Sequence, residues 1–155
     1  MKYHKIMWQR IQTLYLAIAT GLIVSMFFCN AGTFIGADGS ESIKYYEKTS
    51  YLMFLIMVVM ANGISLFSFK SRLLQMRITV ISAILLLALQ VWLGVDFARF
   101  QMGIGTDTGS VKMIFSFTAI FPLIASILDF LAARSIALDE AMVQSAYRLR
   151  KSKRR

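Results

Sequence analysis

Four stretches of the chain contain no charged residue: 11–29, 51–69, 78–95 and 113–128. The first two hold nineteen residues each, the third eighteen and the fourth sixteen. A bilayer core is roughly 30 Å thick and needs about 20 apolar residues of helix to cross it. The fourth stretch reaches that length only by crossing Asp129 and continuing to Ala133. A soluble amphipathic helix would show charges on its outer face at a period near 3.6. None of the four does. The pattern therefore predicts four membrane-spanning helices, at about 11–29, 51–69, 78–95 and 113–133.

Composition agrees. Of 155 residues, 57% are hydrophobic, against about 45–50% in an ordinary soluble domain. The first stretch follows Lys2, Lys5 and Arg10 but is longer than the ~7–15 apolar residues of a signal peptide, so it is read as an uncleaved span. Cys29 is the sole cysteine, which excludes an internal disulfide, and is read as a small apolar residue near a helix end.

The charged segments alternate. Residues 1–10 carry a net +3, 30–50 a net −1, 70–77 a net +3, 96–112 zero, and the tail from Arg134 a net +5. Basic flanks stay in the cytoplasm. Both termini and the 70–77 turn are thus expected on the cytoplasmic side, with 30–50 and 96–112 as outer loops. Aromatic residues fit interfacial belts: Trp8 and Tyr15 on one side, and Tyr45, Tyr46, Tyr51, Trp92, Phe97 and Phe100 on the other.

From Asp129 to the end there is no Gly or Pro, so a helix is expected to run from the fourth span into the tail, with Asp139 and Glu140 preceding its basic end. Its apolar stripe, Leu131, Leu138, Met142 and Leu149, is expected to lie on the membrane, pack on the 70–77 turn, or meet a partner. Arg148, Arg150, Lys151, Lys153, Arg154 and Arg155 would attract anionic lipid at about 1 kcal/mol per charge. Nucleic acid fits less well, because Tyr147 is the only aromatic available there for stacking. Anionic lipid, a protein partner and a second copy of the chain remain the candidate partners.

Polar residues inside the spans are few. Asn62 and Ser126 are expected at one depth, with Gln90 and Thr118 in a second layer nearer the outer side. Each interhelical hydrogen bond is worth ~0.6 kcal/mol or somewhat more. Asp129 is expected to form a helix-end salt bridge with Arg134 or a base of the 70–77 turn, a reading preferred to proton carriage. Pro122 predicts a kink that frees the Thr118 carbonyl, and Gly63 predicts close helix approach. No catalytic, metal or cofactor motif is recognised. His4 is the only histidine, and Gly103, Gly105 and Gly109 lack the Lys-Ser/Thr of a phosphate loop.

Two stretches resemble a known family. Trp8-Gln9-Arg10-Ile11-Gln12-Thr13-Leu14-Tyr15-Leu16 is similar to the QRIQ-x-x-YL opening of the DUF4293 family, small four-span Bacteroidetes membrane proteins of unknown function. Asp139-Glu140-Ala141-Met142-Val143 with Ser145 and Arg148-Leu149-Arg150 resembles its closing DEALV-x-S-x-x-RLR pattern. This tail is more apolar than the family's at Ala137, Leu138 and Tyr147. The resemblance implies an inner-membrane protein, no catalytic residues, and one cytoplasmic surface formed by the two matching ends.

The expected fold is an all-α membrane protein: a four-helix antiparallel bundle (1–133) with a basic, amphipathic cytoplasmic helix (134–155). The expected function is a non-enzymatic interaction or scaffold protein without cofactors. The alternative is a small oligomeric transporter or channel. A water-filled path lined by Asn62, Gln90 and Asp129 would favour transport, and a dry interior would favour interaction. Reporter fusions at Ser40 and Thr106 are expected to be active outside, and those at Ser71 and after Arg155 inside. A cytoplasmic signal at Thr106 would break the four-span topology.

Overall fold

The computed structural model describes residues 2–36, 39–68, 71–102 and 112–152, with backbone only for 2–10, 34, 36, 112, 113, 115 and 147–152. The chain is mainly helical: α1 (Lys2–Met26), α2 (Thr49–Phe67), α3 (Arg72–Gln101) and α4 (Phe121–Ser152). Three helical stretches, Thr49–Phe67, Arg72–Gln101 and Phe117–Ala146, are long and apolar enough to cross a membrane. The apolar part of α1 is shorter, Ile11–Met26, because the chain leaves the helix at Phe27.

Each helix packs on two others: α1 on α2 and α4, and α3 on α2 and α4. The buried positions repeat at alternating steps of four and three. They are Gln12, Leu16, Ala19, Ile23 and Met26 on α1, and Tyr51, Leu55, Val58, Asn62 and Ser65 on α2. On α3 they are Gln75, Thr79, Ser82, Leu86, Leu89, Leu93 and Asp96. On α4 the series is Ala125, Asp129, Ala132, Ile136 and Asp139. A 3.5-residue average keeps one seam facing its neighbours along the whole helix. The lipid-facing sides are also apolar, as at Met53, Met60, Ile81, Val91 and Ile127, all more than half exposed.

The segments on either side of the helices are more ordered than the expected outer loops. β1 (Asn30–Gly36) lies between β2 (Gly39–Lys44) and β3 (Lys112–Phe115) in an antiparallel sheet of order β2-β1-β3. The β1–β2 hairpin turns at Gly36 and Gly39, and Gly39 has φ 137°, a region that favours glycine. Residues 103–111, including Gly103, Gly105, Thr106 and Gly109, lie outside the described residues.

The sheet end is held by side chains. Asp96 lies near the end of α3, since 30 helical residues span about 45 Å and overshoot a bilayer core. Its Oδ2 accepts hydrogen bonds from the Lys48 ammonium and the Tyr51 hydroxyl. The Lys48 Nζ also sits 4.8 Å from the centre of the Tyr51 ring. The Thr118 hydroxyl donates to the Asn30 carbonyl at 3.0 Å, so Tyr45 is the donor in its 3.3 Å contact with Thr118 Oγ1. Burial, offset in part by the Thr118 bond, pushes the Tyr45 phenol above its ordinary pKa and keeps that proton in place.

Several expectations change. Tyr45 and Tyr51 belong to the core, at 0% and 2% exposure, because each phenol finds an acceptor, Thr118 Oγ1 and Asp96 Oδ2. Tyr46, Trp92 and Phe97 keep exposed rings. Pro122 makes no mid-helix kink. It is the second residue of α4, after a 3-10 turn (Phe117–Ile120), where the missing N–H costs nothing. Gly63 makes no close approach, since a Cβ there would meet nothing within 4 Å. The continuous tail helix is present, with α4 unbroken to Ser152.

Tyr51→Phe removes one donor from the buried Asp96 carboxylate and is expected to cost about 1–3 kcal/mol. Lys48→Met should cost less, because the Lys48 side chain is 40% exposed against 10% for Asp96. Unfolding titrations in mixed micelles would measure the order, and a reversal would assign the clamp to the ion pair.

Candidate functional site

The seam changes character along its length. Toward the sheet it is apolar: Ile23, Met26, Leu55, Val58, Leu86, Leu89 and Leu93 pack with Tyr45 and Tyr51. Toward the tail end the same seam becomes polar. Gln12, Asn62, Ser65, Gln75, Thr79, Ser82, Ser126, Asp129 and Asp139 are all buried.

The polar half has two levels with different degrees of satisfaction. At the first, the Thr79 hydroxyl donates to the Gln75 carbonyl at 2.8 Å, which leaves Ser65 to donate to Thr79 Oγ1 at 2.7 Å. This ties α2 to α3 with every hydroxyl used. At the second, the Ser82 hydroxyl donates to Asp129 Oδ2 at 2.8 Å, and the Ser126 hydroxyl reaches the Ala83 carbonyl at 3.4 Å. The Asn62 amide also acts on the Asp129 carboxylate. Asn62 Oδ1, Asn62 Nδ2 and Asp129 Oδ1 have no hydrogen-bond partner. Asn62, Ser82 and Asp129 each have no solvent exposure.

Among the described residues, Asp129 makes no helix-end salt bridge. Arg134, five residues on, points roughly 140° around the helix from it and is exposed. Of the turn's bases, Arg77 is exposed and Arg72 is committed elsewhere: its Nη1 donates to Asp139 Oδ2 at 2.6 Å. That bridge ties the start of α3 to α4 at the tail end.

The expected depth layers are half realised. Asn62 and Ser126 do face the seam at the Ser82–Asp129 level. Gln90 makes no layer with Thr118. Gln90 is half-buried with Oε1 unpartnered, while Thr118 is used by Tyr45 and Asn30 in the sheet-end cap. The physical reason is that the fourth helix starts at Phe121, which leaves Thr118 in the 3-10 turn.

The tail residues divide. Leu131, Leu138 and Met142 share one face of α4 and are 43%, 48% and 54% exposed. The packed face is Ala132, Ala133, Ile136 and Asp139. Arg148, Leu149, Arg150 and Lys151 continue the helix, and their side chains lie outside the described set. Lys153, Arg154 and Arg155 are outside the described residues. Among the described residues no group of three or more His, Cys, Asp or Glu is gathered.

Ser82, Ser65, Thr79 and the Arg72–Asp139 bridge were missed by sequence reasoning. The available signal was spacing. Asn62 and Ser65 stand three apart, as do Thr79 and Ser82, with Gln75 four residues before Thr79. Such spacing puts each set on one helix face.

The model of the domain of unknown function DUF4293 matches residues 8–149. The chain belongs to this family. The match spans every residue of the buried polar half, from Gln12 to Asp139, as well as Met142, Arg148 and Leu149. Arg150, Lys151, Lys153, Arg154 and Arg155 follow it. The DUF4293 family has no assigned function. No curated protein and no solved structure matches the chain.

A double-mutant cycle of Ser65→Ala and Thr79→Ala is expected to return a coupling of about 0.6 kcal/mol. Measured by unfolding in a bilayer mimic, a coupling of zero would mean that the hydroxyl pair adds nothing to α2–α3 association.

Proposed function

We propose that this DUF4293 member is a four-span, non-enzymatic protein of the bacterial inner membrane with both termini in the cytoplasm. It acts by presenting a basic cytoplasmic face to anionic lipid, and through that face to a protein partner or a second copy. The observation that carries this reading is α4. It runs unbroken from Phe121 to Ser152, so its basic end continues a span-length apolar helix as one rod. The Arg72–Asp139 bridge fixes the rod against α3 just where the tail begins. Leu138 and Met142 carry the exposed apolar face across that point. An apolar stripe beside basic residues suits the boundary between acyl chains and anionic headgroups. Arg72 and Arg77 at the start of α3 lie beside the same end and add to the field.

A second reading, a small oligomeric transporter or channel, is favoured by one observation: a carboxylate buried among span-length helices with one oxygen unpartnered. Intramembrane ionisable groups commonly mark ion or proton paths. Against it, the sheet-ward half of the seam is packed with large apolar side chains.

Changing Arg148, Arg150, Lys151, Lys153, Arg154 and Arg155 to Gln is expected to weaken tail binding to anionic vesicles by about 1 kcal/mol per charge, and added salt should mimic it. Exchanging the arginines for lysine should change little. Equal damage from the lysine exchange would point to bidentate recognition of a specific carboxylate or phosphate. Met142→Ser with Leu149→Ser should release a captured protein partner while vesicle binding by charge persists.

A further inference from the structure

We propose that Asn62, Ser82 and Asp129 form a binding site for one monovalent cation, either an alkali ion or a proton, held between α2, α3 and α4. The inference does not depend on the tail acting as an interaction surface.

The first argument is charge. Among the described residues, Asp129 is the only ionisable side chain buried between Gln12 and Asp139 at the tail end and Asp96 at the sheet end, apart from Tyr45 and Tyr51 near the sheet. The charged groups of the packed helices lie toward their ends. Lys2, Lys5 and Arg10 open α1, Lys48 precedes α2, and Arg72, Arg77, Asp96 and Arg99 lie in the first two or last two turns of α3. On α4 itself, Arg134 is exposed, Asp139 is paired with Arg72, and Glu140 lies beyond it. Tyr15 on α1 is half-buried. A carboxylate cannot be carried unpaired in so apolar a surrounding. One positive charge balances the site, whereas a divalent ion would leave an excess of one.

The second argument is the donor set. Asp129 Oδ1 and Asn62 Oδ1 are two buried acceptors without a donor. Ser82 spends its proton on Asp129 Oδ2 and keeps its lone pairs. Three helices thus converge three oxygen-bearing side chains with matching vacancies for a positive group. A proton on Asp129 Oδ1 would be donated to Asn62 Oδ1 and satisfy two of the three unpartnered atoms, leaving Asn62 Nδ2. A sodium-sized ion would be met by those two oxygens and Ser82 Oγ, the hard neutral and anionic oxygens such ions prefer.

The third argument is the neighbouring level. Ser65, Thr79 and Gln75 lie on the same helices with every hydroxyl used. Polar groups that serve only to join helices are satisfied by one another. Those at Asn62 and Asp129 are not.

The test uses the purified full-length protein in nanodiscs. Thermal unfolding is followed while sodium or potassium replaces choline at constant ionic strength and pH, and separately across a pH series in choline alone. Asp129→Asn and Asn62→Leu are compared with the wild type. An alkali site predicts a saturable rise in wild-type Tm, roughly 3–5 °C at about tenfold the dissociation constant. Asp129→Asn should abolish it and Asn62→Leu should weaken it. A proton site predicts no alkali response, and a Tm difference between wild type and Asp129→Asn that grows in favour of wild type as pH falls. Labelling of wild-type Asp129 by a hydrophobic carbodiimide, read by mass spectrometry, covers the case in which Asp129→Asn does not fold. Sodium or potassium should slow the labelling at an alkali site, and rising pH should slow it at a proton site. Parallel Tm responses of wild type and Asp129→Asn, or labelling indifferent to both alkali ion and pH, would overturn the proposal.

Discussion

The rest of the structure depends on the four-three repeat of buried positions that runs through all four helices. It begins at Gln12 on α1, Tyr51 on α2, Gln75 on α3 and Ala125 on α4. In water such a seam would be marked by apolar residues against a polar exterior. Here the exterior is apolar as well, so transfer of apolar surface from water does not choose which side faces inward. Residue size and polarity choose it. Alanines at 19, 83, 125, 132 and 133 let backbones approach, and buried Ser, Thr, Asn and Gln prefer any protein partner to hydrocarbon.

The seam is closed at each end by an ion pair. Lys48 and Asp96 join the start of α2 to the end of α3 beneath the sheet, and Arg72 and Asp139 join the start of α3 to α4 at the tail end. Both exist because α3 and α4 are longer than the hydrocarbon they would cross. Their ends carry carboxylates beyond the apolar stretch, where a charge is affordable if it is paired. The sheet adds a second constraint, since β1 and β3 bring the α1–α2 connection against the entry to α4. Thr118 and Pro122 are consequently parts of that entry.

Between these closures the polar and apolar halves do different work. The sheet-ward half is side-chain packing, with Tyr45 and Tyr51 at 6.0 Å between ring centres and Leu55, Leu86 and Leu89 below them. The tail-ward half holds the hydrogen bonds, and it alone contains a carboxylate without a basic partner. A rigid frame around such a group is what a selective ion or proton site requires, since ordering has already been met by folding.

Charge-free stretches of near-spanning length are read directly from the sequence, because hydrocarbon forbids charge at nearly every position of a crossing helix. The helical tail was legible for a similar local reason: no Gly or Pro interrupts residues 129–155. The hairpin signal was there too, in Gly36 and Asp38-Gly39 between β-prone residues, but it stands in a segment too short for a sheet without β3 from 112–115. Partners were beyond local reach. Asp129 could be seen as ionisable, yet Ser82, forty-seven residues away, and Asn62 become its neighbours only when α2 packs on α3 and α3 on α4. Tyr51 looked interfacial until Asp96 was brought to it. The sequence by itself determined where charge is excluded, and so which segments are apolar helices. The tertiary structure alone decided which face of each helix is inside, because with lipid outside both faces look alike until specific side chains meet.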